Sequence, residues 1–232
     1  MNNKYKYAYE NDNKYCYPGT DILKNTLNIT DEKILYDAER EIVAYKMTSL
    51  VQDPLKGNFD FNHLKAIHGR LFINLYDWAG TPRTCAIAKN NLFCLPQFID
   101  TFAEEIFSKL EMENYYINYD YDTTIDCLVN LFSDINALHP FREGNGRTQR
   151  EFIEELAKIN GIDLDLTRIS SLDNIKASHE SINGDTRRLK RHFVKCAKKL
   201  TKEEQLHYLD VYVLSNTLLN RLKNDVLMME EE

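Results

Sequence analysis

The chain has 232 residues with a formal net charge of −7, and 43% hydrophobic and 28% charged residues describe an ordinary globular protein with a sizeable core. The acidic balance argues against a nucleic-acid binder, since such domains are usually basic, so we expect no direct nucleic-acid binding. No apolar stretch approaches the ~20 residues that cross a bilayer, and residues 1–15 lack the apolar region of a secretion signal, so we expect a cytoplasmic location and no membrane partner.

The five cysteines are scattered and show no C-x-x-C spacing. This pattern is typical of reduced thiols rather than of a disulfide framework or a zinc site. Cys85 and Cys94 flank a predicted turn, which leaves a cross-strand pair open, although two half-buried thiols are the favoured interpretation.

Hydrophobic spacing predicts three helices in the N-terminal half. Thr30, followed by two acidic residues, is the predicted N-cap of the first, whose inward residues are Leu35, Ala38, Ile42 and Tyr45. Asp60 opens the second, with an inward stripe of Leu64, Ile67, Leu71 and Leu75. The third has its stripe at Phe98, Phe102, Ile106 and Leu110.

Residues 84–94, TCAIAKNNLFC, depart from the helical pattern. Two short β-compatible runs surround Lys89, Asn90 and Asn91, and asparagine tolerates the left-handed conformation of a tight turn. A lone hairpin is marginal in water unless it packs on something. We therefore expect one β-hairpin that lies as a flap over a helical core.

The C-terminal half predicts a central core helix that stops near His139, because Pro140 disfavours the α conformation in the residue before it. Its inward residues are Ile125, Leu128, Val129, Phe132 and Ile135. A second helix begins around Gly146, ends at Gly161 and turns inward Phe152, Ile153, Leu156 and Ile159. Further helices are expected from Ser171, from Asp185 and, as one long helix, from a capping box at Thr201 and Glu204. The fold class is all-α, with one domain over residues 1–200 and a helical extension, 201–232, packed on it.

Residues 139–150 read HPFREGNGRTQR and concentrate the chemistry. Glycines at 144 and 146 allow a tight turn whose following helix points its N-terminus at an anion. Arg147 and Arg150 share one face of that helix, and Asn145 is a candidate partner for a phosphate oxygen. Glu143 is a candidate Mg²⁺ ligand, and His139 can accept a proton near neutral pH. The set predicts an enzyme that acts on a nucleotide.

Each of these elements has a simpler interpretation when taken alone. A Gly-Asn-Gly sequence before a helix is often only a turn, two helical arginines are usually solvated, and a histidine at a helix end is usually a cap. Their joint occurrence within twelve residues favours the active-site interpretation.

The twelve residues resemble the signature of the Fic family, H-P-F-x-D/E-G-N-G-R-x-x-R, and match it at every defined position. The similarity continues in Ile67-His68, in Tyr76-Asp77-Trp78-Ala79-Gly80 with Arg83, and in an N-terminal arm that starts at Tyr17. It covers roughly residues 15–200.

The resemblance implies transfer of AMP from ATP to a threonine, tyrosine or serine hydroxyl of a target protein, with release of pyrophosphate. His139 would be the catalytic base and Glu143 would hold Mg²⁺. Contacts to the nucleotide would come from Phe141, Arg142, Gly144, Asn145, Gly146, Arg147 and Arg150, and from Lys89 and Asn90 of the flap. Ile87, Ala88 and Lys89 would dock the target segment by strand addition.

Many family members silence themselves with a helix bearing S/T-x-x-x-E-G/N, and this string does not occur in the sequence. The chain therefore resembles the bacterial toxin-like class that a small antitoxin protein restrains. By analogy with that class, the expected target is DNA gyrase or topoisomerase IV. The acidic C-terminal end makes a secreted effector the less favoured alternative.

Other functions remain open on the same fold. These are transfer of UMP, phosphocholine or phosphate, and removal of AMP. A catalytically inactive binding module is the alternative of another class.

Overall fold

The computed structural model describes residues 6–7, 14–89 and 91–229. Across them run the helices α1 Glu32–Gln52, α2 Phe61–Phe72, α3 Ile99–Met112, α4 Tyr121–Leu138, α5 Asn145–Ile159, α6 Ser171–Ile182, α7 Arg187–Cys196, α8 Lys202–Tyr212 and α9 Asn216–Met228. The strands are β1 Lys6–Tyr7, β2 Ile87–Lys89, β3 Asn91–Leu92, β4 Ile162–Leu164 and β5 Ala197–Lys199. The prediction of an all-α fold with a β-hairpin flap is confirmed.

Two helices, α4 and α5, form the centre of the fold. α4 packs against α3, α5, α6 and α7, while α5 packs against α2, α4 and α8. The inward residues predicted for both helices are all buried, and each large apolar side chain contributes about 1.5–3 kcal/mol when it leaves water. Because residues 139–144 join these two helices, the loop that carries the signature begins and ends in the core.

The N-cap of α1, and one inward residue each of α1 and α3, differ from the predictions. Asp31, not Thr30, caps α1 by accepting a hydrogen bond from the backbone N–H of Ile34 at 2.9 Å. Tyr45, predicted to face inward, is 73% exposed, and Phe98 is 55% exposed in a 3₁₀ turn before α3. Leu35 is buried as predicted, and further along α1 the core residues are Val43 and Leu50 rather than Tyr45.

The single long C-terminal helix was a wrong prediction, because two helices, α8 and α9, occupy that segment. Gly57 and Ser215 both act at the break. The Gly57 N–H donates to Tyr212 O and its carbonyl accepts from Leu214 N, both at 2.8 Å, while the side chain of Ser215 caps α9. This bridge holds the chain extended between the two helices. The capping box at Thr201 and Glu204 is confirmed.

The C-terminal helices share the core of the rest of the fold. The Gln205 amide of α8 donates to Ile159 O of α5 at 2.8 Å, and Leu209 and Leu222 are buried in the common hydrophobic cluster. The division of the chain at residue 200 stays a prediction.

The β-structure is larger than one hairpin. β2 and β3 pair antiparallel as predicted, but β1 adds to the other edge of β2, with Lys6 opposite Ala88. A second sheet joins β4 and β5, with Ile162 opposite Lys199. Both additional pairings join segments that are far apart in sequence, where local patterns give no signal. None of the five cysteines, all of which lie in the described residues, forms a disulfide.

Candidate active site

His139 lies at the C-cap of α4 in the left-handed conformation, with φ of 44°. For a residue with a side chain this conformation costs on the order of 1–2 kcal/mol, so the surrounding structure must hold it. Its N–H still bonds Ile135 O at 3.0 Å, after which Pro140 directs the chain away from the helix. The predicted helix stop is confirmed.

The imidazole of His139 is fixed on one face and at one nitrogen. Phe93, near the C-terminal end of the flap, stacks on it with ring centres 3.7 Å apart and planes 13° apart. Nδ1 lies 3.3 Å from the carbonyl oxygen of Asn136. Because a carbonyl only accepts, this contact favours the tautomer with the proton on Nδ1, in which Nε2 is the basic nitrogen. The side chain lines a cavity of about 480 Å³.

The glycines of the signature have different roles. Gly144 adopts φ of +83°, and a Cβ there would lie 2.4 Å from the ring of Phe72, so only glycine fits. Gly146 lines the cavity in the first turn of α5, where a Cβ would meet nothing closer than Arg150 Nη1 at 3.5 Å. The positive end of the α5 dipole therefore faces the cavity, as the anion-site prediction requires.

Asn145 uses its side chain to hold the loop. Its Oδ1 accepts from Phe141 N at 2.8 Å, and its Nδ2 donates to Phe141 O at 2.7 Å. Both ends of the amide are thus engaged by one backbone residue. Asn145 is not among the residues that line the cavity, and its predicted contact with phosphate stays a prediction.

Phe141 and Arg142, both predicted to contact nucleotide, do not line the cavity. Phe141 stacks on His68 with ring centres 3.8 Å apart. Arg142 is 1% exposed and its guanidinium lies 3.5 Å from Cys16 Sγ, in the N-terminal arm. In this structure both residues secure the loop and the arm, because their side chains point into the interior.

Arg147 and Arg150 both line the cavity. Arg147 lies over the ring of Phe72 and donates from Nη2 to Glu39 Oε1 at 2.6 Å. Burial, with a further contribution from the charge of Arg147, lowers the pKa of Arg150, while Glu154 opposes the shift. Two arginines at one wall of a cavity are the arrangement expected for an anion.

Glu143 lies beside these arginines with a side chain 26% exposed. Its Oε1 accepts from Gly144 N at 2.9 Å and lies 3.4 Å from Arg147 Nη2. Burial, and then the neighbouring Glu39 carboxylate, raise the pKa of Glu143. Glu143 is not among the residues that line the cavity. Its chemistry fits magnesium, which takes one or two carboxylates together with phosphate oxygens, and a cation would offset the repulsion between the two neighbouring carboxylates.

The flap residues are only partly described. Ile87 is buried and Ala88 is half-buried in β2. Lys89 lies in β2 by its backbone, and Asn90 lies outside the described residues. The predicted contacts of these two side chains with nucleotide stay predictions.

Arg83 has a role that the sequence did not reveal. The side chain is 2% exposed and donates to three backbone carbonyls: His139 O at 2.8 Å, Cys85 O at 2.7 Å and Cys94 O at 2.5 Å. It thereby ties both ends of the flap to the loop that carries the base. Within the sequence, only its place in the family resemblance singled it out.

The far walls of the cavity come from two helices, and from Leu166, Thr167 and Ile169 before the second of them, none of which the motif includes. α1 contributes Arg40, Val43, Ala44 and Met47, and α6 contributes Asn174, Ile175, Ser178, His179 and Ile182. Sequence reasoning missed these residues because nothing in their local pattern separates a cavity wall from a helix surface.

Residues 58–157 match the model of the Fic/DOC family. A relative from Sinorhizobium fredii (strain NBRC 101917 / NGR234), named "Probable protein adenylyltransferase y4lH", is 34% identical over 172 residues, which are 73% of this chain and 88% of the relative. The chain belongs to the Fic/DOC family.

Two other relatives agree with this assignment. "Probable protein adenylyltransferase Fic" of Escherichia coli (strain K12) is 31% identical over 82% of this chain and 94% of its own length. "Protein adenylyltransferase VbhT" of Bartonella schoenbuchensis (strain DSM 13525 / NCTC 13165 / R1) is 36% identical over 78% of this chain, which spans 38% of that longer protein. The predicted enzyme class, a nucleotidyltransferase, is confirmed at the level of the family.

Solved structures show the same fold. The BepC protein of Bartonella tribocorum with bound AMPPNP superimposes with a TM-score of 0.77 at 24% identity, over 83% of this chain and all of that one. The type IV secretion effector BepA gives a TM-score of 0.74 at 28% identity, over 84% of this chain and 71% of that one. In the described part of this chain, no helix is both long and apolar enough to span a membrane.

Proposed function

We propose that this protein transfers AMP from ATP to a hydroxyl group of a target protein. The observation that carries the proposal is one cavity lined by His139, by the start of α5 and by Arg147 and Arg150. That cavity brings a base, a helix dipole and two cations to the same place. The printed names of the relatives support AMP transfer, and the AMPPNP bound to BepC supports a nucleotide as substrate.

The reaction follows from what each group can do. The hydroxyl oxygen of the target attacks the α-phosphorus of ATP, and the bond between that phosphorus and the bridging oxygen of pyrophosphate breaks. Nε2 of His139 accepts the hydroxyl proton in the tautomer with the proton on Nδ1, which the contact with Asn136 O favours. Arg147, Arg150 and the α5 dipole stabilise the charge that moves onto the leaving phosphates.

Glu143 would hold a magnesium ion, which supplies charge neutralisation for the phosphate oxygens when bound. Replacing this residue should remove the magnesium ligand, and the activity should be lost with it. We therefore expect Glu143→Gln to show no transfer at any magnesium concentration, measured as labelled protein on a gel.

We also propose that the protein is a toxin restrained by a small antitoxin and that it acts in the bacterial cytoplasm. The support is the sequence, which lacks the S/T-x-x-x-E-G/N string. The protein target suggested by the family resemblance is DNA gyrase or topoisomerase IV. The test incubates purified gyrase and purified topoisomerase IV with labelled ATP. Labelling by the wild-type protein, and not by His139→Ala, would support this target.

The experiment that tests the proposal compares two labels. Purified protein is incubated with magnesium and a cell lysate, using ATP labelled at the α-phosphate in one sample and at the γ-phosphate in the other. Because kinases of the lysate also use γ-labelled ATP, each sample is compared with one that contains the His139→Ala variant. AMP transfer predicts additional labelled protein from the α-label alone. Additional label from the γ-phosphate would indicate a kinase, and no additional label from either sample would favour an inactive binding module.

A further inference from the structure

Glu39 of α1 contacts the active site from outside the region that the family model matches. Its Oε1 accepts a hydrogen bond from Arg147 Nη2 at 2.6 Å, across 108 residues of sequence. The side chains are only 13% and 24% exposed. A pair that is this short and this far from solvent is much less screened than a surface salt bridge.

The carboxylate of Glu39 is held at both oxygens. While Oε1 bonds Arg147, Oε2 accepts a short hydrogen bond from the hydroxyl of Tyr76. Tyr76 is itself immobile, because it is fully buried and stacks on Trp78 with ring centres 4.4 Å apart. Glu39 is therefore a rigid support rather than a mobile surface acid.

The contacts of Arg147 define the orientation of its guanidinium. One face lies over the ring of Phe72, at 4.8 Å from the ring centre. The bonds to Glu39 and Glu143 both leave from Nη2. A planar group with one nitrogen and one face fixed keeps a defined direction, and its Nε and Nη1 remain to meet a second anion.

We infer that Glu39, anchored by Tyr76, is a positioning residue that orients Arg147 to bind the outer phosphates of ATP. The inference rests on the proposed function for the identity of the nucleotide. The opposite role, in which Glu39 competes with phosphate for the arginine, is less favoured because Glu39 occupies only one nitrogen of the guanidinium.

The test separates the outer phosphates from the rest of the nucleotide. Binding of AMP and of a non-hydrolysable ATP analogue with magnesium is measured by calorimetry for the wild-type protein and for Glu39→Gln, which keeps the shape and removes the charge. We expect the analogue to bind about tenfold more weakly, as the loss of a charge-assisted contact would predict, and AMP to bind unchanged. Tyr76→Phe should give a smaller loss in the same direction.

Two further variants complete the experiment. Glu41→Gln replaces an exposed acid on the same helix and should leave both affinities unchanged. In the Arg147→Ala background, Glu39→Gln should have no additional effect, since the residue it positions is gone.

Three outcomes overturn the inference. Tighter binding of the analogue by Glu39→Gln would show a competing, inhibitory contact. Equal loss of AMP and analogue binding, with a lower melting temperature, would show a merely structural role, and additive losses with Arg147→Ala would show that Glu39 acts elsewhere. Because the readout is binding, a protein that transfers no AMP but shows the expected pattern would refute the proposed function alone. Failure of the wild-type protein to bind either nucleotide would refute both.

Discussion

Arg83 and His139 are joined by a hydrogen bond from the Nε of the arginine to the backbone carbonyl oxygen of the histidine, 2.8 Å long and buried. The other guanidinium nitrogens reach the carbonyls of Cys85 and Cys94, at the two ends of the flap. One side chain therefore sets the position of the flap relative to the loop that carries the base. It also supports the left-handed backbone of His139.

Replacing Arg83 should disturb both the flap and the base. In Arg83→Met the buried carbonyl of His139 and the partly buried carbonyls of Cys85 and Cys94 lose their donor. A buried carbonyl without a donor costs about 1–3 kcal/mol and a partly buried one costs less, so we expect a large fall in the free energy of unfolding by urea. Arg83→Lys keeps the charge but loses the forked guanidinium. Its free energy of unfolding should lie between those of Arg83→Met and the wild type. In Arg83→Lys we expect the KM for the target to rise while ATP-analogue affinity stays constant. Unchanged target KM in a folded variant would contradict the coupling.

Removing the base should abolish transfer without removing the nucleotide site. General-base catalysis contributes about 10²–10⁴-fold, and His139→Ala should lose a factor of that size in the rate of α-label incorporation. Binding of the ATP analogue should persist, because Arg147 and Arg150 remain. His207→Ala, on the exposed side of α8, is the matched control. A rate equal to that of the control would contradict the assignment.

The two glycines of the signature should respond differently to alanine. Gly144→Ala places a methyl group against Phe72 in a left-handed backbone, and the left-handed conformation alone costs about 1–2 kcal/mol. We expect a lower melting temperature in calorimetry. Gly146→Ala meets only ordinary contacts and should keep the stability, whereas nucleotide binding should weaken because the methyl group lies in the cavity. Equal melting temperatures for both variants would argue against the steric account.

The pH dependence of stability should reflect acidic residues on α5. Burial, and then the charge of Glu155, raise the pKa of Glu151 to about 8. A carboxyl group with a raised pKa binds more protons in the folded state than in the unfolded state. Its presence therefore lowers the free energy of unfolding as the pH rises from its ordinary pKa near 4.5 to about 8, with no further change above that.

Glu151→Gln should flatten the pH dependence of the free energy of unfolding and make the protein more stable than the wild type at pH 9. The free energy is measured by urea unfolding at pH 5, 7 and 9. Glu104→Gln, which replaces an exposed acid on α3, should leave the slope unchanged. A wild-type stability that rises over the same pH range would contradict the prediction.

Local sequence determined the centre of the site. Pro140 stops α4 at His139, the glycine at 144 permits the turn, and α5 begins within one residue of the predicted start. These features depend on φ/ψ preferences and hydrophobic spacing over a few residues, and such preferences do not depend on the tertiary structure. The twelve-residue signature could therefore be interpreted without coordinates.

Only the tertiary structure decided which distant groups support that centre. Glu39 meets Arg147 across 108 residues, and Gly57 bonds the extended segment between α8 and α9 at Tyr212 and Leu214. The three carbonyls that Arg83 joins, and the inward direction of Phe141 and Arg142, likewise depend on how the helices pack. Hydrogen bonds between residues far apart in sequence follow from the packing of the whole core, and no short segment contains that information.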